Sequence, residues 1–142
     1  MRTLADLVPL LARRPHDSPL VTADNVVMSV GEFLDRKDRL AATLRSSGVE
    51  RTTRVGVLHA NGPDAVVAWF ACWSIGATVV PLNPRSAPAD IARAASAAGV
   101  AHVVSAPDVA ANAPDSVPLT VHEGDDIPPA QGGDAPGEPE LP

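Results

Sequence analysis

Between Arg54 and Ser105 the sequence alternates short β-branched apolar runs with longer segments of helical spacing, and that alternation constrains the chain more than any other feature. Arg54 to His59, Ala77 to Pro81 and Ala101 to Ser105 read as strands, with helices at Pro63 to Ile75 and Pro88 to Ala98 between them. Strands this apolar, separated by helices, require parallel pairing, right-handed crossovers and helical cover on both faces of the sheet. A weaker repeat follows, with a short helix at Pro107 to Asn112 and a strand at Pro118 to Val121.

The residues ahead of this βαβαβ unit follow other rules. Leu4, Leu7, Val8 and Leu11 have helical spacing, predicting a helix from about Leu4 to Arg14 with Thr3 as N-cap, bent or shortened by Pro9. Leu20-Val21-Thr22, a turn at Asp24-Asn25 and Val26-Val27-Met28 predict a short hairpin. Ser29 with Glu32 three residues later is a capping box; Phe33, Leu34, Leu40, Ala41 and Leu44 continue an apolar stripe to a stop at Gly48. Asp35, Arg36, Lys37, Asp38, Arg39 and Arg45 are read as the solvated face of that helix, with local ion pairs. The expected fold class is α/β: an N-terminal helix and hairpin, then a parallel-sheet unit covered by helices.

Ala65 to Pro84 carries no charge and approaches the length of a membrane span. Gly76 stops the helix within it, and Pro81 and Pro84 would break a spanning one, so a buried helix followed by a buried strand is expected. The net charge of -6 is unevenly placed, because all 11 Lys and Arg lie in residues 1 to 110 and the last 32 residues are purely acidic. With no basic run, neither nucleic acid nor a membrane surface is an expected partner. From Glu123 to Pro142 the chain is mostly Gly, Pro, Asp and Glu, too polar to offset the entropy of ordering. Residues 1–122 are therefore expected to form the α/β unit and 123–142 a disordered acidic linker or tail. A lone Cys72, no Cys/His cluster of metal-ligand spacing and no export-signal pattern point to a cytoplasmic protein without a structural metal.

The α/β region has no Gly-rich phosphate loop and no Gly-x-Ser-x-Gly elbow, and no residue is assigned a catalytic or metal-binding role. His59 lies at the expected carboxyl end of a strand, where open α/β sheets place ligands. It is read as a partly buried structural residue in preference to a catalytic one, with Asn61 capping the next helix and Pro63 and Asp64 in its first turn. His16, His102 and His122 lie apart and are given surface or core roles. Trp69 and Trp73, beside Phe70 and Cys72, are read as core in preference to an aromatic cofactor box.

Taken in order, the motifs resemble one family. Met28-Ser29-Val30-Gly31-Glu32-Phe33 is similar to the Leu-Thr-Tyr-x-Glu-Leu motif of the adenylate-forming (AMP-binding) enzymes, which include acyl-CoA synthetases and the adenylation domains of peptide synthetases. Arg54-Val55-Gly56-Val57-Leu58 followed by Asn61-Gly62-Pro63-Asp64 resembles that family's Arg-Val-Ala-Ile-Leu and Asn-Ser-Pro-Glu. Ile75-Gly76-Ala77-Thr78-Val79-Val80-Pro81-Leu82-Asn83-Pro84-Arg85 resembles its Ala-Gly-Ala-Val-Val-Val-Pro-Leu-Asn-Pro-Arg. The register holds from Leu4 to Ser105. Two departures stand out: Thr52-Thr53 replaces the usual Gly-Asp, and Ala87 replaces a Thr that would cap a helix, unless Ser86 substitutes for it.

The resemblance implies the N-terminal part of an ATP-dependent ligase that converts a carboxylic acid to an acyl-adenylate and then to a thioester on CoA or a carrier protein. ATP, Mg and CoA are the cofactors implied for such enzymes. The family's Thr-Ser-Gly-Thr-Thr-Gly phosphate loop and its C-terminal catalytic Lys are not in these 142 residues. The expectation is a chain inactive alone, completed by the remainder of the ligase in cis or by a complementary chain in trans. A stand-alone α/β interaction module or one half of a split ligase is the alternative. The loop Asn83-Pro84-Arg85 is the one site the resemblance marks, as a contact for the CoA nucleotide through Asn83 and Arg85.

Overall fold

The computed structural model describes residues 6–23 and 26–124. The Thr3 cap, the Asp24-Asn25 turn and nearly all of the acidic linker lie outside the described residues. The element order is α1 (Leu7–Ala12), β1 (Pro19–Ala23), β2 (Val26–Ser29), α2 (Val30–Ser46), β3 (Arg54–Leu58), α3 (Pro63–Ile75), β4 (Thr78–Pro81), α4 (Pro88–Ala97), β5 (His102–Ser105), a 3-10 helix (Pro107–Asn112) and β6 (Leu119–Val121). β1 and β2 form the antiparallel hairpin, while β3 to β6 form a parallel sheet of order β4-β3-β5-β6.

Local chemistry explains the boundaries. Pro9 is the third residue of α1, where a backbone N–H would have no intrahelical partner, so the helix, shorter than expected, runs on through it to Ala12. The Ser29 hydroxyl accepts from the Glu32 N–H at 3.2 Å, the N-cap half of the expected capping box. The long helices end alike, with a left-handed glycine and a six-residue backbone bond: Val49 to Leu44, Ala77 to Cys72 and Val100 to Ala95. Asn61 does not cap α3; Gly62 holds that position without a side-chain bond, and Asn61 is exposed. Ala87 leaves α4 uncapped, with no substitute bond from Ser86.

Alternation along the strands gives the sheet two cores. Val55, Val57 and Val104 face α2 and α3 with Phe33, Leu40, Leu44, Val67 and Cys72. Leu58 and Val103 face α4 with Leu82, Ile91, Ala95 and Val100. Gly56 lies on the α4 side, where an added Cβ would be 2.7 Å from Leu82 Cδ1 and 3.2 Å from Val100 Cγ1, so close packing there depends on its bare backbone. Arg54 closes this layer by donating to the Ala98 carbonyl at 2.8 Å, a cation at the carboxyl end of α4.

Three expectations change. β4 is an edge strand, with Thr78 and Pro81 exposed and Val79 and Val80 half-buried, because it has a neighbour on one side only. Lys37 is not on a solvated face: it is 3% exposed, its ammonium 2.6 Å from Asp38. Asp35, Asp38 and Arg39 are exposed as read, whereas Arg36 and Arg45 are half-buried; Glu32–Arg36 and Asp35–Arg39 pair one turn apart. Trp69 and Trp73 are half-buried at the rim of the core, in an edge-to-face chain running Phe33, Phe70, Trp73. No helix among the described residues is long and apolar enough to cross a membrane.

Candidate functional site

The strand order fixes where a ligand can sit. From β3 the chain crosses to β4 on one side; from β5 it passes to β6 on the other. The connections therefore diverge between the carboxyl ends of β3 and β5, leaving a crevice there. A cleft of about 220 Å³ occupies that point, lined by His59, Asn61, Asp64, Pro84 and Asp108 among others. Pro84 brings the Asn83-Pro84-Arg85 loop to its edge.

That loop is rooted by the sheet. The Leu82 N–H donates to the Val57 carbonyl at 2.9 Å, extending the ladder one residue past β4, and the Leu82 side chain is buried. Asn83 Oδ1 accepts from the Arg85 N–H at 2.9 Å, and the Ser86 N–H donates to the Asn83 carbonyl at 3.1 Å. The turn is thus fixed by Asn83, while the exposed Arg85 guanidinium has no protein partner among the described residues. The sequence-derived pair divides into a residue that shapes the loop and one that presents a charge.

His59 forms the wall of the cleft and is buried more deeply than expected, at 8% exposure. Its Nε2 lies 3.1 Å from Nδ1 of His122, with ring centroids 4.6 Å apart. His122 follows β6 and is 1% exposed; its Nε2 is buried without a hydrogen-bond partner among the described residues. Burial pulls both imidazoles below the usual histidine range, and His122, also opposed by His59 and Arg36, falls to about 4. Asp64 and Asp108 pull the other way on His59. Asp64 also accepts from the Gly124 N–H at 3.1 Å, so two contacts bind the residues after β6 to this crevice.

Sequence reasoning did not bring His59 and His122 together. The available signal was that each follows directly on a parallel strand, since the carboxyl ends of such strands align at one edge of the sheet. His102 has a different role: its Nε2 bonds Thr120 Oγ1 at 2.8 Å between β5 and β6, and burial lowers its pKa. His16 is exposed. Among the described residues no cluster of His, Cys, Asp or Glu is arranged to hold a metal ion. Cys72 is buried, its thiol pushed up to about 12 by desolvation, which makes it inert packing.

Comparison with known proteins places this geometry. The sequence profile described as AMP-binding enzyme matches residues 10–140. A feruloyl-CoA synthase of Amycolatopsis sp. is 34% identical over 99 residues, which are 68% of this chain and 20% of the relative. A fatty acid–[acyl-carrier-protein] ligase of Mycobacterium marinum is 32% identical over 91 residues, 63% of this chain and 17% of that enzyme. Among solved structures, a protein described as a putative long-chain-fatty-acid CoA ligase of Rhodopseudomonas palustris superposes with a TM-score of 0.76 at 26% identity, over 98% of this chain and 38% of that one. The N-terminal subdomain of Klebsiella oxytoca NpsA, in complex with anthranilyl-AMSN, has the same fold, with a TM-score of 0.76 at 21% identity over 96% of this chain and 35% of that one. The chain thus spans well under half the length of these relatives. With the profile matching nearly its whole length, this chain belongs to the AMP-binding enzyme family.

Proposed function

We propose that this chain supplies the N-terminal scaffold of an ATP-dependent carboxylic-acid-activating ligase, which forms an acyl-adenylate and transfers the acyl group to a thiol. The observation that carries this reading is the family match over residues 10–140, with relatives that include a CoA synthase and an acyl-carrier-protein ligase. The switch-point crevice supports it, because a parallel sheet presents loops and a helix start at that edge.

Within such an enzyme Arg85 contacts a phosphate of the CoA nucleotide. A guanidinium pairs with phosphate through two parallel hydrogen bonds, and Asn83 holds the turn from which it projects. ATP and Mg would be held by the family's phosphate loop, whose motif these residues lack, so the chain alone provides no stabilisation for charge developing on the phosphates. The remainder of the ligase, in cis or as a second chain, is the required partner, and the cytoplasm, where ATP and CoA are available, is its place of action.

ATP–pyrophosphate exchange with aryl and fatty acids tests the proposal. The chain alone should give none, and joining it to the segment bearing the phosphate loop and C-terminal Lys should produce it. Exchange by the chain alone, or none from the completed protein with any carboxylic acid, would overturn it.

A further inference from the structure

We propose that His59 and His122 form a proton-operated latch that holds the segment after β6 against the crevice and releases it in acid. The segment is fastened at three points: the His122 N–H on the Ser105 carbonyl at 3.0 Å, the His122 ring on His59 at 3.1 Å, and the Gly124 N–H on Asp64 at 3.1 Å. Two of these end on ionisable side chains, His59 just after β3 and Asp64 in the first turn of α3, so protonation acts directly on the attachment.

The imidazole pair sets the response. A neutral pair shares one N–H and one lone pair across the 3.1 Å contact, and either tautomer leaves His122 Nε2 buried and, among the described residues, unpaired. A first proton settles on His59, which faces Asp64 from α3 and Asp108 from the 3-10 helix. That ring then donates to His122, and the latch holds. A second proton must enter His122, which faces Arg36 from α2 and the charged His59, with only Asp64 in its favour. Both facing nitrogens would then carry hydrogens, and the bond cannot form. Swinging His122 into water removes the conflict, so release is coupled to proton uptake. Glu123, between the two fastened residues, is exposed and takes no part in the pair.

Amide hydrogen exchange of the full 142-residue chain from pH 7.5 to 4.5, expressed as protection factors, tests the latch. Protection at His122 and Gly124 should fall by up to about tenfold per pH unit below about 6.5, with no matching loss at Leu40 and Leu44 in α2. Asp64→Asn, which keeps an acceptor for Gly124 without a titrating carboxylate, should retain the fall; His122→Gln should abolish it. Flat protection at His122 and Gly124, a matching loss in α2, or an unchanged response in His122→Gln would each overturn the proposal. Should His122→Gln not fold, the ring resonances of the unmodified chain decide: titration of His122 near the ordinary histidine value overturns the latch, and titration well below it supports it.

Discussion

Nε2 of His59 and Nδ1 of His122 lie 3.1 Å apart across 63 residues of sequence, tying the carboxyl end of β3 to the segment that follows β6. Both rings are held neutral by burial, so the folded chain binds fewer protons than the unfolded chain once pH drops below the ordinary histidine value. Stability at the histidine sites is therefore complete above about pH 6.5 and is lost progressively towards about 4, the His122 value. Urea melts at pH 7 and pH 5 should show a lower midpoint at pH 5, and His59→Gln with His122→Gln should reduce the difference.

Thr52 has a φ of +69°, a left-handed conformation that a β-branched residue adopts only under strain. The neighbouring Thr53 fixes this turn, its hydroxyl accepting from the Glu50 N–H at 2.9 Å. Thr52→Gly should stabilise the chain by about 0.5–1 kcal/mol, the relief of strain outweighing the added freedom of the unfolded state. A thermal melt checks the sign.

Gly56 faces the α4 layer with no room for a side chain. Gly56→Ala should cost about 1–3 kcal/mol by displacing Leu82, which roots the Asn83-Pro84-Arg85 loop. Denaturant titration measures the loss. Leu82→Ala in the Gly56→Ala background should cost less than it does alone, because the two changes share the same space.

Arg85→Ala in the completed ligase should raise the KM for CoA about tenfold and leave ATP–pyrophosphate exchange unchanged, since the guanidinium is proposed to meet only the thiol-bearing nucleotide. An equal loss in both reactions would place Arg85 elsewhere.

Cys72, with its thiol pushed up to about 12, carries almost no thiolate at neutral pH. A disulfide reagent should label it only after denaturation. Labelling of the native chain at the rate of a free thiol would show that the α3 core opens readily.

Local chemistry made most of the fold legible. The Ser29–Glu32 cap, the glycine stops at Gly48 and Gly76, and the apolar runs at β3, β4 and β5 are short-range signals, and the elements they predict are present with ends moved by a residue or two. The site was legible in part. The Asn83-Pro84-Arg85 loop could be marked by resemblance, but its position beside His59 and Asp108 could not, because strand order is not written in any one segment. The Asn61 expectation failed because Gly62, one residue later, takes the cap position.

The sequence by itself determined the elements, their order and the family, because caps, stops and periodicity act over a few residues and need no knowledge of which elements become neighbours. The tertiary structure alone decided that β4 is an edge, that Lys37 is buried, and that His59 meets His122. Each of these depends on which elements become neighbours, and that choice follows from how the two faces of the sheet bury apolar surface.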